Sequence, residues 1–113
     1  MHELGVVINV IKAVDVFAKK SGVTKIDTLV LQIGEFSAMV PRYVEACYPA
    51  AVNGTLLQET KLVIEVLPGM VKCQKCQKDF QLFRYNKRCP DCSGESWELV
   101  SGKEFLIKEI IAC

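Results

Sequence analysis

The chain has one histidine, at position 2, among its 113 residues. A hydrolytic centre of nucleophile and imidazole base needs a histidine with a serine or cysteine and an orienting group around it. A lone imidazole at the extreme N-terminus, with no such residues or paired carboxylates beside it, argues against an enzyme. Net charge is also scarce: 14 Lys and Arg stand against 13 Asp and Glu, for +1, and the basic residues are spread along the chain. That argues against strong electrostatic attachment to nucleic acid or a membrane surface. No apolar run approaches the ~18 residues that span a bilayer, and Met1-His2-Glu3-Leu4 lacks the basic start of a signal peptide. A soluble, cytoplasmic protein is expected, long enough for one modest core with a small metal-stapled module attached.

Cysteine is not scarce. Four of the six cysteines fall in two C-x2-C pairs, Cys73-Gln-Lys-Cys76 and Cys89-Pro-Asp-Cys92, twelve residues apart. Each pair makes a tight turn with two sulfurs inward, and two such turns can wrap one tetrahedral metal. Four soft thiolates favour Zn(II), with iron the main competitor. Two disulfides are the alternative, but the flanking Lys72, Lys75, Lys78, Lys87 and Arg88 and the missing signal peptide point to a reducing compartment. With every position filled by cysteine there is no open site for water, so a structural zinc is expected, not a catalytic one. Residues 67–102 carry six basic and four acidic side chains; their +2 is cancelled by four thiolates around Zn(II), leaving this module near neutral.

Hydrophobic periodicity orders the rest. Val7, Ile11, Val14, Phe17 and Ala18, with Val10 alongside, follow helical spacing and predict a helix over 4–20, closed by Lys19-Lys20 and Gly22. Residues 25–33 alternate, with Leu29, Leu31 and Ile33 opposite Thr28, Val30 and Gln32, and predict a strand ended by Gly34. Pro41 suits a first helical position, and Val44, Cys47, Tyr48 and Ala51 continue a second helix to Asn53-Gly54, which Pro49 should kink or restart. Residues 61–67 alternate as a second strand, turned out by Pro68-Gly69. Short strands are expected at 97–100 and over 103–112, the latter with Phe105, Ile107 and Ile111 on one face. A helix between the first two strands implies that they run parallel. The expected fold class is α/β, an α+β-like small lobe: two helices on a small three-stranded mixed sheet with an inserted zinc-ribbon domain. Residues 1–66 plus 103–113 would form one domain and 67–102 the ribbon.

The N-terminus is the other chemically loaded place. Methionine removal generally needs a small second residue, and His2 is not small, so the Met1 amine should remain. That amine, the His2 amide and the His2 imidazole can chelate one metal in adjoining rings, with Glu3 offering a fourth donor, a set suited to Ni(II) or Cu(II). A solvated terminal histidine is the plainer alternative.

Taken together, Met1-His2-Glu3-Leu4, Ile33-Gly34-Glu35-Phe36-Ser37 and the late cysteine quartet resemble the HypA/HybF family of hydrogenase maturation nickel metallochaperones, over essentially the whole chain. The resemblance implies nickel binding by Met1, His2 and Glu3, and structural zinc on Cys73, Cys76, Cys89 and Cys92. It further implies delivery of Ni(II) as cargo to a [NiFe]-hydrogenase large-subunit precursor, with a nickel-handling maturation GTPase as partner and, in some organisms, service to urease. A homodimer is left open. Some members of the family carry an acidic residue where Val40 stands, and valine cannot ligate. Glu35 reads as a solvated residue after a strand. Two other readings of the cysteine quartet, a zinc-ribbon nucleic-acid binder and a rubredoxin-like electron carrier, leave Met1-His2-Glu3 unexplained. Cys47 falls on an apolar stripe and reads as a core residue, while Cys113 is given no role. Phe80, Phe83, Tyr85 and Trp97 read as cover for the metal core.

Overall fold

A computed structural model describes residues 2–112, the side chain of His2 excepted. Helix α1, His2–Lys20, has Glu3 in its first turn and Lys19 and Lys20 in its last, as the helix dipole favours. It ends in a Schellman turn: Val23 N–H donates to the Ala18 carbonyl (2.9 Å), Gly22 N–H to that of Lys19 (3.3 Å), and Gly22 takes φ 73°. Val7, Ile11, Val14 and Ala18 are buried as their spacing predicts, but Phe17 is 58% exposed. At 100° per residue Phe17 lies about 90° from the centre of that stripe, at its edge.

Strand β1, Ile26–Gly34, is the middle of a mixed sheet. It pairs parallel with β2, Lys61–Leu67, and antiparallel with β6, Phe105–Ala112. Leu29, Leu31 and Ile33 enter the core with the helices. Flanked on both sides, β1 also buries Thr28 and Val30 on the opposite face. On that face Gln32 Nε2 donates to Glu65 Oε1 (3.1 Å), and Lys108 Nζ reaches the same oxygen (3.0 Å), so one polar chain spans the three strands.

Helix α2, Pro41–Val52, forms the crossover between the parallel strands and buries Val44, Cys47, Tyr48, Ala51 and Val52. The restart expected at Pro49 does not occur, since the helix runs through it. Proline there removes one backbone donor in the last turns, and it sits on the exposed side, where water can serve the Glu45 carbonyl it leaves.

Strand β6 corrects the expected face. Val30 pairs with Glu109 and Leu31 with Ile107, so Lys108 is an extra residue, a β-bulge. The bulge reverses the alternation. Phe105 and Ile110 pack on the core, and Ile111 falls on the other side with Leu106.

Between β2 and β6 the chain builds a second antiparallel sheet in the order β4-β3-β5, from β3 (Met70–Cys73), β4 (Asp79–Gln81) and β5 (Trp97–Ser101). Of these, the sequence pattern predicts only β5. Val71, Cys73, Phe80, Leu82 and Cys89 form its small core, with Phe36 and Trp97 against it.

The two sheets meet where chain backbones touch. Phe36 N–H donates to the Gly102 carbonyl (2.8 Å) and Gly34 N–H to that of Glu104 (2.7 Å). A Cβ on Gly34 would coincide with the Gly102 carbonyl, and Gly102 itself has φ 110° with Gly69 packed against it. Only glycine permits both the approach and the conformation. Phe36 and Phe83 add an edge-on ring contact at 5.7 Å.

Candidate metal centres

The two C-x2-C turns are copies of one backbone design. In the first, Cys73 N–H donates to the Lys78 carbonyl (2.8 Å), and Gln77 N–H returns to the Cys73 carbonyl (2.9 Å). In the second, Cys89 N–H donates to Gly94 (3.0 Å) and Ser93 N–H to Cys89 (2.9 Å), at the same offsets. The fourth residue past each leading cysteine is left-handed: Gln77 at φ 67° and Ser93 at φ 60°.

The turns aim amides at sulfur. The N–H groups of Cys76 and Lys75 hold Cys73 as a thiolate well below the usual thiol range, at about 6. Lys78 N–H likewise favours the Cys76 thiolate, but the neighbouring Cys89 sulfur and burial outweigh it and push Cys76 up to about 12. At Cys92 the Gly94 N–H is outweighed in the same way, first by Cys73, and the group is also raised. Four sulfurs this close repel one another as anions, and a dication removes the conflict.

All four sulfurs lie within 4.8 Å of one another, with Cys73 to Cys92 at 3.6 Å and Cys76 to Cys89 at 3.4 Å. Tetrahedral Zn(II) with bonds of about 2.3 Å requires sulfurs about 3.8 Å apart. The donor set, the spacing and the amide donors therefore fit a closed zinc site of four cysteines. Cys73 and Cys89 are its buried side, Cys76 and Cys92 its exposed side.

Met1 and the side chain of His2 lie outside the described residues. Glu3 is buried in the first turn of α1. A helix of 19 residues is about 28 Å long and a strand of nine about 30 Å, and residues 21–25 return the chain directly from one to the other. The start of α1 is thereby carried to the carboxyl ends of the parallel strands, where open α/β sheets bind ligands. Val40 caps α2 there without a side-chain hydrogen bond and lines a hollow of about 300 Å³ with Glu35, Met39 and Phe83. Glu35 is not merely solvated: its Oε1 accepts the Gly69 N–H at 2.6 Å, tying the end of β1 to the turn that enters the second sheet. The sequence could not reveal this, because the partner is a backbone group 34 residues away.

Phe80 is buried and Trp97 half-buried against the ribbon core. Phe83 and Tyr85 are exposed, a departure from the expected core role. Phe83 serves the junction, and Tyr85 meets Phe80 at 6.4 Å and the Arg84 guanidinium at 5.9 Å. Cys47 is in the core as expected, and Cys113 lies outside the described residues.

Fold and site together define a small α/β protein that carries a four-cysteine metal ribbon inserted before its last strand. The family model described as hydrogenase/urease nickel incorporation, metallochaperone, hypA matches residues 1–112. The chain belongs to the HypA family. It is 35% identical over 111 residues to the hydrogenase maturation factor HypA of Chlorobium luteolum, covering 98% of this chain and 95% of that one. With the HypA of Geobacter metallireducens it shares 36% over 110 residues, 97% of each. Among solved structures, the solution structure of a HypA protein aligns with TM-score 0.69 at 25% identity, covering 100% of this chain and 97% of that one. The solution structure of the Ni metallochaperone HypA from Helicobacter pylori aligns with TM-score 0.65 at 24% identity over 97% and 96%, a likeness of fold.

Proposed function

We propose that this chain is a nickel metallochaperone which takes up Ni(II) at Met1, His2 and Glu3 and delivers it to a [NiFe]-hydrogenase large-subunit precursor in the cytoplasm. The observation that carries the reading is membership of the HypA family over residues 1–112, coupled with the sequence Met1-His2-Glu3. The amine of Met1, the amide nitrogen and imidazole of His2, and a donor from Glu3 form adjoining chelate rings that suit Ni(II). Residues 1–66 plus 103–113 are the nickel-binding domain and residues 67–102 the zinc-binding ribbon. When bound, zinc on Cys73, Cys76, Cys89 and Cys92 supplies folding free energy to the ribbon and no reactive position. The protein is a carrier, not a catalyst, and a nickel-handling maturation GTPase is its working partner.

The test is a nickel titration of the zinc-loaded native chain beside one extended by a single glycine before Met1, and beside His2→Ala. Extension converts the amine into a peptide amide and breaks its chelate ring. Nickel is expected to be lost or rebound with a changed spectrum in both variants, with zinc content intact. Equal affinity and an identical spectrum in the extended chain would sink the assignment.

A further inference from the structure

The cysteine quartet combines solvent access with close sulfur contact. Cys76 and Cys92 are exposed, while Cys73 and Cys89 are buried. The sulfur contacts run between the two turns: Cys73 Sγ meets Cys92 Sγ at 3.6 Å, and Cys76 Sγ meets Cys89 Sγ at 3.4 Å. Each contact therefore joins one exposed sulfur to one buried sulfur. We propose that the ribbon is a site of reversible oxidation by hydrogen peroxide, in which Cys76 and Cys92 are attacked, Cys89 and Cys73 resolve them into two crossed disulfides, and zinc is released. The proposal rests on the zinc reading of these four cysteines and is independent of nickel uptake at the N-terminus.

Peroxide oxidises the sulfurs that meet solvent. At an exposed thiolate the sulfur forms an S–O bond as the O–O bond breaks, giving a sulfenic acid and a hydroxide that takes up a proton to become water. The buried thiolate in contact then attacks the oxidised sulfur. The S–S bond forms, the S–O bond breaks, and the departing hydroxide is again protonated to water. Each disulfide thus consumes one peroxide and two protons and yields two waters. Two thiolates lose the two electrons that the peroxide gains. Zn(II) keeps its oxidation state and leaves because a disulfide sulfur is no longer an anionic ligand.

Four cysteines can pair in three ways, and the geometry selects one. Joining Cys76 to Cys92 would spend both accessible sulfurs on each other and leave Cys73 and Cys89 sealed from peroxide. Pairing within each turn also matches buried with exposed. There, however, the backbone amides that donate to Cys73, Cys76 and Cys92 aim the sulfurs at the shared centre, across which the observed contacts lie. The crossed bonds are nested, spanning 13 and 19 residues, and they tie turn to turn. They would do for the zinc-free ribbon part of what the metal does. Cys47 lies in the other core and takes no part.

The test treats the full zinc-loaded chain with hydrogen peroxide at two equivalents per zinc and follows released zinc with a chromophoric chelator. Trypsin with a protease that cuts before aspartate places each of the four cysteines on its own peptide, by cleavage at Lys72, Lys75, Lys78, Arg88 and Asp91. The first two peptides both read Cys-Gln-Lys, so the chain carries Gln74→Asn, at an exposed position, to separate them by mass. The expected result is complete release of zinc, disulfides joining Cys76 to Cys89 and Cys73 to Cys92, and recovery of zinc binding after reduction by a dithiol. With dimedone present from the start, the trapped sulfenic acid is expected on Cys76 and Cys92. The crossed bonds should also preserve the proton NMR dispersion around Trp97 that the reduced, zinc-free chain loses. Bonds within the turns, a bond between Cys73 and Cys89, dimedone adducts on the buried pair, sulfinic acids in place of disulfides, or retained zinc would each overturn the proposal. Zinc content before treatment tests the zinc reading separately, and the disulfide map tests the pairing.

Discussion

Tyr48 offers a quantitative check on the core beneath the first sheet. Its hydroxyl donates to the Thr60 carbonyl at 2.9 Å, and the Thr60 hydroxyl donates in turn to the Ile26 carbonyl at 2.7 Å, so α2, the loop after it and the start of β1 are tied in sequence. The ring is buried, and burial pushes the phenol from 10.0 up to about 12. Tyr48→Phe keeps the ring and removes the bond, leaving the Thr60 carbonyl without that donor; the expected cost near neutral pH is about 1–2 kcal/mol. The pH dependence has a definite sign. A phenol whose folded pKa lies above its unfolded value contributes stability fully below about pH 10, and that stability is lost as pH rises toward about 12, at about 1.4 kcal/mol per unit. Urea unfolding followed by far-UV circular dichroism, at about pH 8 and about pH 11, should show the wild-type advantage over Tyr48→Phe shrinking by about 1.4 kcal/mol. Subtracting the variant removes the titration of the exposed tyrosines and lysines. An advantage that stays constant over this range would refute the reasoning that Tyr48 is both buried and bonded as described.

The ribbon core is too small to hold residues 67–102 without metal, so zinc removal, or Cys76→Ser, should collapse the proton NMR dispersion of the Trp97 region while the first sheet persists; an unchanged Trp97 environment would contradict a structural zinc. Nickel affinity should fall as pH drops through the range where an imidazole gains its proton, near about 6.5, because ligation through His2 requires the neutral ring; a titration flat from about pH 8 to about pH 6 would count against the Met1, His2 and Glu3 ligands.

Much of this fold was legible because its long elements keep one period throughout. The alternation of 61–67 gave a strand with the observed bounds, and the crossover helix between it and β1 required the parallel pairing that is found. The cysteine quartet was legible from spacing alone. What escaped detection depends on geometry that periodicity does not encode. Strands β3 and β4 have four and three residues, too few to display alternation. The tight C-x2-C turns were expected, but the left-handed conformation falls on Gln77 and Ser93, which are not glycine, so the sequence does not mark which residue adopts it. Phe17 obeys helical spacing yet lies at the rim of its stripe, and one bulge at Lys108 reverses a face that alternation would assign wholly to the core.

The contact of Gly102 with Gly69 brings the entrance and exit of the second sheet together at backbone distance. Topologically, residues 70–101 are a closed detour. Because the ends already meet, joining Gly69 to Gly102 would leave no gap for the remaining chain to bridge, and loop-closure entropy sets little penalty on the length of what lies between, each doubling adding only about 0.6 kcal/mol. The metal ribbon can therefore vary in size or be exchanged for another insert while β2, β1 and β6 keep their register. The architecture is that of a host with a single socket, whose rim is glycine because nothing larger would let the two ends of the guest stand side by side.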